Sequence, residues 1–196
     1  MMQIIAECIA GWLRDQGAVL NDDIELFAYA VYSMLHGLLP VFIVLAYGYL
    51  GGMVNESLLM IMPFMLLRKF SGGFHLKSAR KCILLTCFFL GTALMLVSWL
   101  QEKNCSAFPF VVALGSICSL CKFSPICNPS RKLSTKEVVL FKKIVQVISM
   151  TMFAFYLLLH CFAPIGYSIA LAIGIFIAAL LQIPCIGNKH YLQNIQ

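Results

Sequence analysis

Long apolar segments recur along almost the whole chain, and charged residues fall mainly in the short stretches between them. Hydrophobic residues make up 61% of the 196 residues and charged residues only 11%, against about 25% charged residues in ordinary soluble domains. The mean hydropathy is +0.91. Because about 20 apolar residues suffice for one helical crossing of a bilayer, the sequence predicts a single integral membrane domain over residues 1–196, folded as an all-α polytopic bundle.

Six apolar segments are candidates for crossing the bilayer. The second has only about eleven apolar residues, so it either borrows its neighbours to cross or is re-entrant. Pro40 and Pro109 lie inside two of the others, where we expect a kink and a break. The six segments are residues 26–50, 57–67, 82–100, 107–122, 144–163 and 165–186.

Residues 1–20 precede the first of these segments and have a different pattern. Ile4, Ile5 and Cys8 recur at near-helical spacing with polar residues between them, which is typical of an amphipathic helix lying in the membrane interface. Arg14 and Asp15 follow directly, so we expect no cleaved signal peptide.

Positive charge is concentrated in two polar segments. Of the 14 Lys and Arg residues, five fall in residues 68–81 and six in residues 122–143. The positive-inside rule places such segments in the cytoplasm, so we expect both, together with both termini, on the cytoplasmic side of a cell membrane. The formal net charge of +6 is then explained by membrane orientation, and we expect no nucleic-acid partner.

A histidine and a cysteine stand out in and just after the first basic segment. His75 and Cys82 are the minimal pair for nucleophilic acyl transfer, in which a thiolate attacks a carbonyl and an imidazole moves the proton. On a continuous helix they would lie about 10 Å apart along the axis, too far for a hydrogen bond. A working pair therefore requires a bend, for which Gly72 and Gly73 provide the backbone freedom.

The surroundings of Cys82 favour a thiolate. If Ser78 caps the following helix, Cys82 lies about one turn inside its start, where the helix dipole and nearby cations stabilise negative charge. Those cations are Lys77, Arg80 and Lys81. No acidic residue lies in residues 68–81. The candidates for a group that orients His75 are Ser71, Ser78, a backbone carbonyl and a distant carboxylate.

The first basic segment resembles the signature of the accessory gene regulator protein B family, membrane peptidases that process quorum-sensing propeptides in Gram-positive bacteria. The shared pattern is Arg-x-x-x-Gly-Gly-x-His-x6-Cys, which begins at Arg68 and ends at Cys82. Tyr29, Pro63 and residues 124–133 also fall where that family has related features. The resemblance covers residues 20–186.

The resemblance implies a membrane cysteine endopeptidase with Cys82 as nucleophile and His75 as its base. It needs no cofactor. Arg68 and Gly73 would shape the site, and Arg131 and Lys132 would form a second basic element. The residues expected to bind substrate are Arg68, Gly73, Lys77, Arg131 and Lys132.

The implied substrate is a small AgrD-like precursor of an autoinducing peptide. Cys82 would release its acidic C-terminal tail and hold the remainder as a thioester, which a cysteine or serine of the substrate would attack to give a thiolactone or lactone. The clustered cations would bind the acidic tail. Membrane lipid would surround the protein, and a homodimer is possible.

Two functions from other classes stay open: a substrate-binding subunit of a small-molecule importer, and a membrane scaffold. Neither requires a nucleophile, so replacing Cys82 by Ser or Ala would separate both from a peptidase.

The remaining patterns predict structure rather than chemistry. We expect no metal site at Cys118 and Cys121, because no second pair or histidine follows at a useful spacing. Most of the nine cysteines are expected to pack as small apolar side chains. Ser134 and Glu137 have the spacing of a capping box that opens a helix.

Overall fold

The computed structural model describes residues 2–17, 24–72, 79–104, 107–125 and 134–186. These residues form eight helices, and the described ranges contain no β-strand. In chain order the helices are α1 (Met2–Asp15), α2 (Ile24–Leu50), α3 (Val54–Ser71), α4 (Ala79–Glu102), α5 (Ala107–Phe123), α6 (Thr135–Phe162), α7 (Ile165–Leu180) and α8 (Ile183–Ile186).

Several of these helices have the length and composition of membrane spans. The three helices α2, α4 and α6 are long and apolar enough to cross a membrane, and α5 and α7 are shorter apolar helices. Large apolar side chains such as Leu84, Met95 and Val147 are exposed on the outside of the bundle, as a lipid-facing surface requires. The prediction of an all-α membrane bundle is confirmed.

Helix α7 lies at the centre of the bundle. Twelve of its 16 residues are buried, and it packs against α3, α4, α5 and α6. A helix that is apolar on every side must be surrounded by other helices or by lipid. Here the neighbouring helices surround it, so α7 supplies much of the core.

Helices α3 and α7 run parallel and side by side over their full length. Near their starts, Asn55 Nδ2 donates to Tyr167 Oη at 3.0 Å. Near their ends, Gln182 Nε2 donates to the Ser71 carbonyl at 3.2 Å. The paired residues are 112 positions apart in sequence at one end and 111 at the other. Because this separation is nearly constant, α3 runs alongside α7 without an interruption. Whether residues 57–67 cross the membrane or are re-entrant stays a prediction.

The same contacts show which helix ends lie together. The side chain of Gln101, at the end of α4, lies against Gly166 at the start of α7. At the opposite end of the bundle, Gln182 also donates to Ser124, which directly follows α5. The ends of α3, α5 and α7 and the start of α4 are therefore at one end. Residues 73–78 and 126–133, which lie outside the described residues, both begin there.

Helix α6 begins at Thr135, directly after Ser134, as the predicted capping box requires, and nine residues before the apolar segment 144–163. The first nine residues include Lys136, Lys142 and Lys143, and a hydropathy pattern cannot detect a helix that continues beyond its apolar part. The capping box is confirmed. Glu137 N donates to Ser134 Oγ at 3.3 Å, and Ser134 N donates to Glu137 Oε2 at 2.8 Å.

The prolines interrupt the helices less than expected. Pro109 is the third residue of α5, and the first turn of a helix tolerates a missing N–H because that group has no partner within the helix. The predicted break at Pro109 is therefore wrong. Pro40 lies inside α2, which is continuous. Helix α7 ends at Leu180 and a turn separates it from α8, so the last predicted segment is divided.

The N-terminal helix is confirmed as α1, which packs against α2. Its position in the membrane interface stays a prediction.

Replacing Gly174 by Ala should destabilise the bundle. A Cβ at this position would collide with the Met60 carbonyl and lie 2.8 Å from Pro63 Cγ. The carbonyl is part of the α3 backbone and Cγ is part of the proline ring, so neither can move aside easily. We expect a loss of about 1–3 kcal/mol in the free energy of unfolding, measured as a lower denaturation midpoint in detergent.

The matched control is Gly115→Ala on α5, where an added Cβ meets nothing within 4 Å. Equal midpoints for the two variants would contradict the close approach of α3 and α7.

Candidate active site

Two of the predicted site residues lie in described helices, at the same end of the bundle. Arg68 is in the last turn of α3, and Cys82 is the fourth residue of α4. The seven residues 72–78 connect these two helices. The other predicted site residues lie outside the described residues, so the pairing of His75 with Cys82 stays a prediction. They are Gly73, His75, Lys77, Arg131 and Lys132. Ser78, the predicted cap of α4, also lies outside them.

Cys82 is a partly buried free thiol at the start of α4. Its carbonyl accepts a hydrogen bond of 2.9 Å from Thr86 Oγ1, and its neighbour Lys81 is exposed. No acidic residue lies in the first turn of α4. The first N–H groups of a helix have no partner within the helix, and the positive end of the helix dipole lies there. An anionic group of a substrate or intermediate would be stabilised at this position.

Arg68 is held along the surface of α3 by an aromatic ring. Its Cζ lies 5.9 Å from the centroid of the Phe64 ring, a distance typical of a cation–π contact. The side chain is partly buried. A guanidinium can bind a carboxylate through two parallel hydrogen bonds.

Helix α3 ends at Ser71, and the chain leaves it at Gly72. Gly72 has a φ of 72°, in the region that glycine adopts at no steric cost. Ser71 Oγ donates to the Gly72 carbonyl at 3.2 Å. Ser71 was one candidate for orienting His75, and its single hydroxyl proton is used within its own turn.

Sequence reasoning missed Gln182, which lies at the same end of the bundle. Its side chain is fully buried, and Nε2 donates to the Ser71 carbonyl at 3.2 Å and to Ser124 Oγ at 2.8 Å. Its Oε1 is buried without a hydrogen-bond partner among the described residues, which costs about 1–3 kcal/mol. The sequence signal that could have found Gln182 is a polar amide directly after the most apolar helix, since polar residues inside membrane proteins often mark function.

The cysteines whose side chains the structure describes have free thiols. Cys118 and Cys121 are free thiols on α5. Within the described ranges, no group of three His, Cys, Asp or Glu side chains is placed to hold a metal ion.

A separate cavity of about 650 Å³ lies between α1 and α2. Glu7 and Glu25 contribute its carboxylates, and Gln3 Nε2 donates to Glu7 Oε1 at 3.1 Å. None of the residues predicted to act on a substrate lines it. The lining residues are Gln3, Ala6, Glu7, Ala10, Ile24, Glu25, Ala28, Tyr29 and Tyr32.

Comparison with known families identifies the chain. The sequence model of accessory gene regulator B matches residues 6–185, a range that contains helices α2 to α7 and both basic segments. The chain belongs to the accessory gene regulator B (AgrB) family. The resemblance first seen around His75 and Cys82 is confirmed at the level of the family, whose members take part in accessory gene regulation.

Individual AgrB-like proteins are similar to this chain over most of their length. It is 25% identical over 175 residues to AgrB-like protein 2 of Clostridium perfringens strain 13, covering 85% of this chain and 79% of that protein. It is 25% identical over 189 residues to an AgrB-like protein of Halalkalibacterium halodurans, covering 96% of this chain and 90% of that protein. No solved structure matches the chain.

Proposed function

We propose that this AgrB-family protein is a membrane cysteine endopeptidase. It removes the C-terminal tail of a small autoinducing-peptide precursor and promotes cyclisation of the remainder for quorum sensing. The observation that carries the proposal is that Arg68, Cys82 and the starting points of both basic segments lie at one end of the bundle. Family membership supports it.

Cys82 and His75 perform the cleavage step in this proposal. His75 takes the thiol proton, and Cys82 Sγ attacks the carbonyl carbon of the peptide bond that precedes the tail. The C–N bond then breaks, and His75 returns the proton to the leaving amine. The precursor remains bound to Cys82 as a thioester, and the tail leaves.

Cyclisation follows by transfer of the acyl group within the substrate. A cysteine thiol of the precursor attacks the thioester, so that one C–S bond forms while the bond to Cys82 breaks and the thiol of Cys82 is restored. A serine of the precursor would give a lactone instead. Exchange between thioesters is nearly balanced in energy, whereas water would consume the acyl group irreversibly. Limited access of water at a membrane surface therefore favours the ring.

The basic residues bind the acidic tail of the precursor. Arg68 lies in the last turn of α3, where the negative end of the helix dipole favours a cation. Lys77, Arg131 and Lys132 belong to the segments that begin at the same end, and opposite charges guide and orient the tail as it approaches. The positive-inside rule places this end in the cytoplasm, so cleavage occurs on the cytoplasmic side of the cell membrane.

Removing the thiol or the imidazole should abolish cleavage of a co-expressed precursor. We expect Cys82→Ala to lower cleavage by at least about 1,000-fold, because the nucleophile is lost, and His75→Ala by about 100- to 10,000-fold, because proton transfer is lost. Mass spectrometry of the precursor measures both, and the product mass shows whether a ring has formed.

The matched control is Cys87→Ala, which removes another partly buried free thiol of α4 and should cleave normally. Cleavage by Cys82→Ala at the wild-type rate would overturn the peptidase mechanism and leave the importer-subunit and scaffold functions.

Neutralising the second basic segment should weaken binding of the tail. For Arg131→Gln with Lys132→Gln, we expect KM to rise by about tenfold while kcat changes little, because charge attraction acts mainly before the chemical step. The wild-type enzyme should also lose affinity as salt is added.

Lys103→Gln is the control for loss of a positive charge away from the site, since Lys103 is exposed just after α4, at the opposite end of the bundle. A lower kcat with unchanged KM in the double variant would assign these two residues to the chemical step instead.

A further inference from the structure

The amide of Gln182 joins two helix ends that are far apart in sequence. Its two N–H groups reach the Ser71 carbonyl at the end of α3 and Ser124 Oγ after α5, positions 111 and 58 residues away. Gln182 itself follows α7, the central helix. One buried side chain thus connects the ends of all three parallel helices.

These two helix ends lead into the parts of the basic segments that lie outside the described residues. Residues 73–78 follow Gly72, one residue beyond Ser71, and residues 126–133 follow Pro125, one residue beyond Ser124. Ser71, Ser124 and Pro125 are buried. The hydrogen bonds of Gln182 therefore fix the separation between the starting points of the segment that carries His75 and the segment that carries Arg131 and Lys132.

We propose that Gln182 is a positioning residue. It holds Ser71 and Ser124, and with them the described starting points of the catalytic segment (residues 73–78) and the tail-binding segment (residues 126–133), at the spacing needed to engage one acidic-tailed precursor. The inference rests on the function proposed above and assigns a role to a residue that does not touch the substrate. Small errors in the relative position of reacting and binding groups cause large losses of rate. A tie between the two starting points limits such errors.

Packing alone does not explain a glutamine at this position. The surrounding core is apolar, with Leu67, Leu120 and Leu181 buried, and an apolar side chain of similar volume would fill the same space. The glutamine also leaves Oε1 buried without a partner among the described residues. What it provides that a methionine or leucine cannot is the pair of directed hydrogen bonds to α3 and to the residue after α5.

The test compares two precursors that differ only in the charge of the tail. One carries the acidic tail, and the other has its Asp and Glu residues replaced by Asn and Gln. Gln182→Met removes both hydrogen bonds at nearly constant volume. We expect kcat/KM on the acidic-tailed precursor to fall by about tenfold, mainly through KM, and on the amide-tailed precursor by less than about threefold.

A second pair of variants keeps the test valid if Gln182→Met does not fold. Ser124→Ala removes only one of the two hydrogen bonds, and Ser116→Ala is its control, because Ser116 is a buried serine of α5 that bonds to Val112 within its own helix. Ser124→Ala should show the same dependence on tail charge, and Ser116→Ala should show none. An equal loss on both precursors, or no loss on either, would overturn the positioning role.

Trypsin digestion in membranes tests the tie without relying on the peptidase activity. In Gln182→Met, cleavage at Lys77 and Arg80 and at Arg131 and Lys132 should speed up at least about threefold relative to cleavage at Arg14, the internal reference. Unchanged relative rates would overturn the tie between the helix ends even if the peptidase is active. Faster trypsin digestion of Gln182→Met, together with full cleavage of the precursor by Cys82→Ala, would support the tie and reject the proposed reaction.

Discussion

The close approach of α7 to α3 organises this bundle. Gly174 lets the α7 backbone lie against the Met60 carbonyl, and small residues at such contacts allow membrane helices to pack without a hydrophobic driving force between them. From that contact the two helices stay in constant register to both ends. Helices α4, α5 and α6 also pack against α7, whereas α2 packs against α3 and α4.

The sequence predicted the helices better than the side chains that join them. Apolar length and the capping box of Ser134 are local signals, so the class of fold and most helix positions followed from them. The capping box located the start of α6 at Ser134 although the apolar segment begins only at residue 144, because the lysines near the start of α6 lower the local hydropathy. Gln182 was missed because its role depends on Ser71 and Ser124, which are distant in sequence and meet only through the parallel packing.

The same distinction between local signals and contacts distant in sequence applies to the candidate site. A short pattern around Cys82 was enough to identify the family and to nominate the nucleophile, since the chemistry of a thiol and an imidazole is specific. No local pattern could show that the end of α5 lies beside the end of α3. The sequence placed both basic segments on one side of the membrane, and the structure adds that Ser71 and Ser124, one residue of each segment, are linked by one amide.

The helices that meet at this end are short for a bilayer. Helices α3, α5 and α7 have 18, 17 and 16 residues, which is about 24–27 Å at 1.5 Å per residue, whereas the hydrocarbon layer is about 30 Å thick. Helix α6, with 28 residues, is about 42 Å long. Because α7 is enclosed by its neighbours, other helices rather than lipid flank its short end. For the proposed reaction, a precursor bound over that end would have protein on its sides, which would limit the access of bulk water to the thioester.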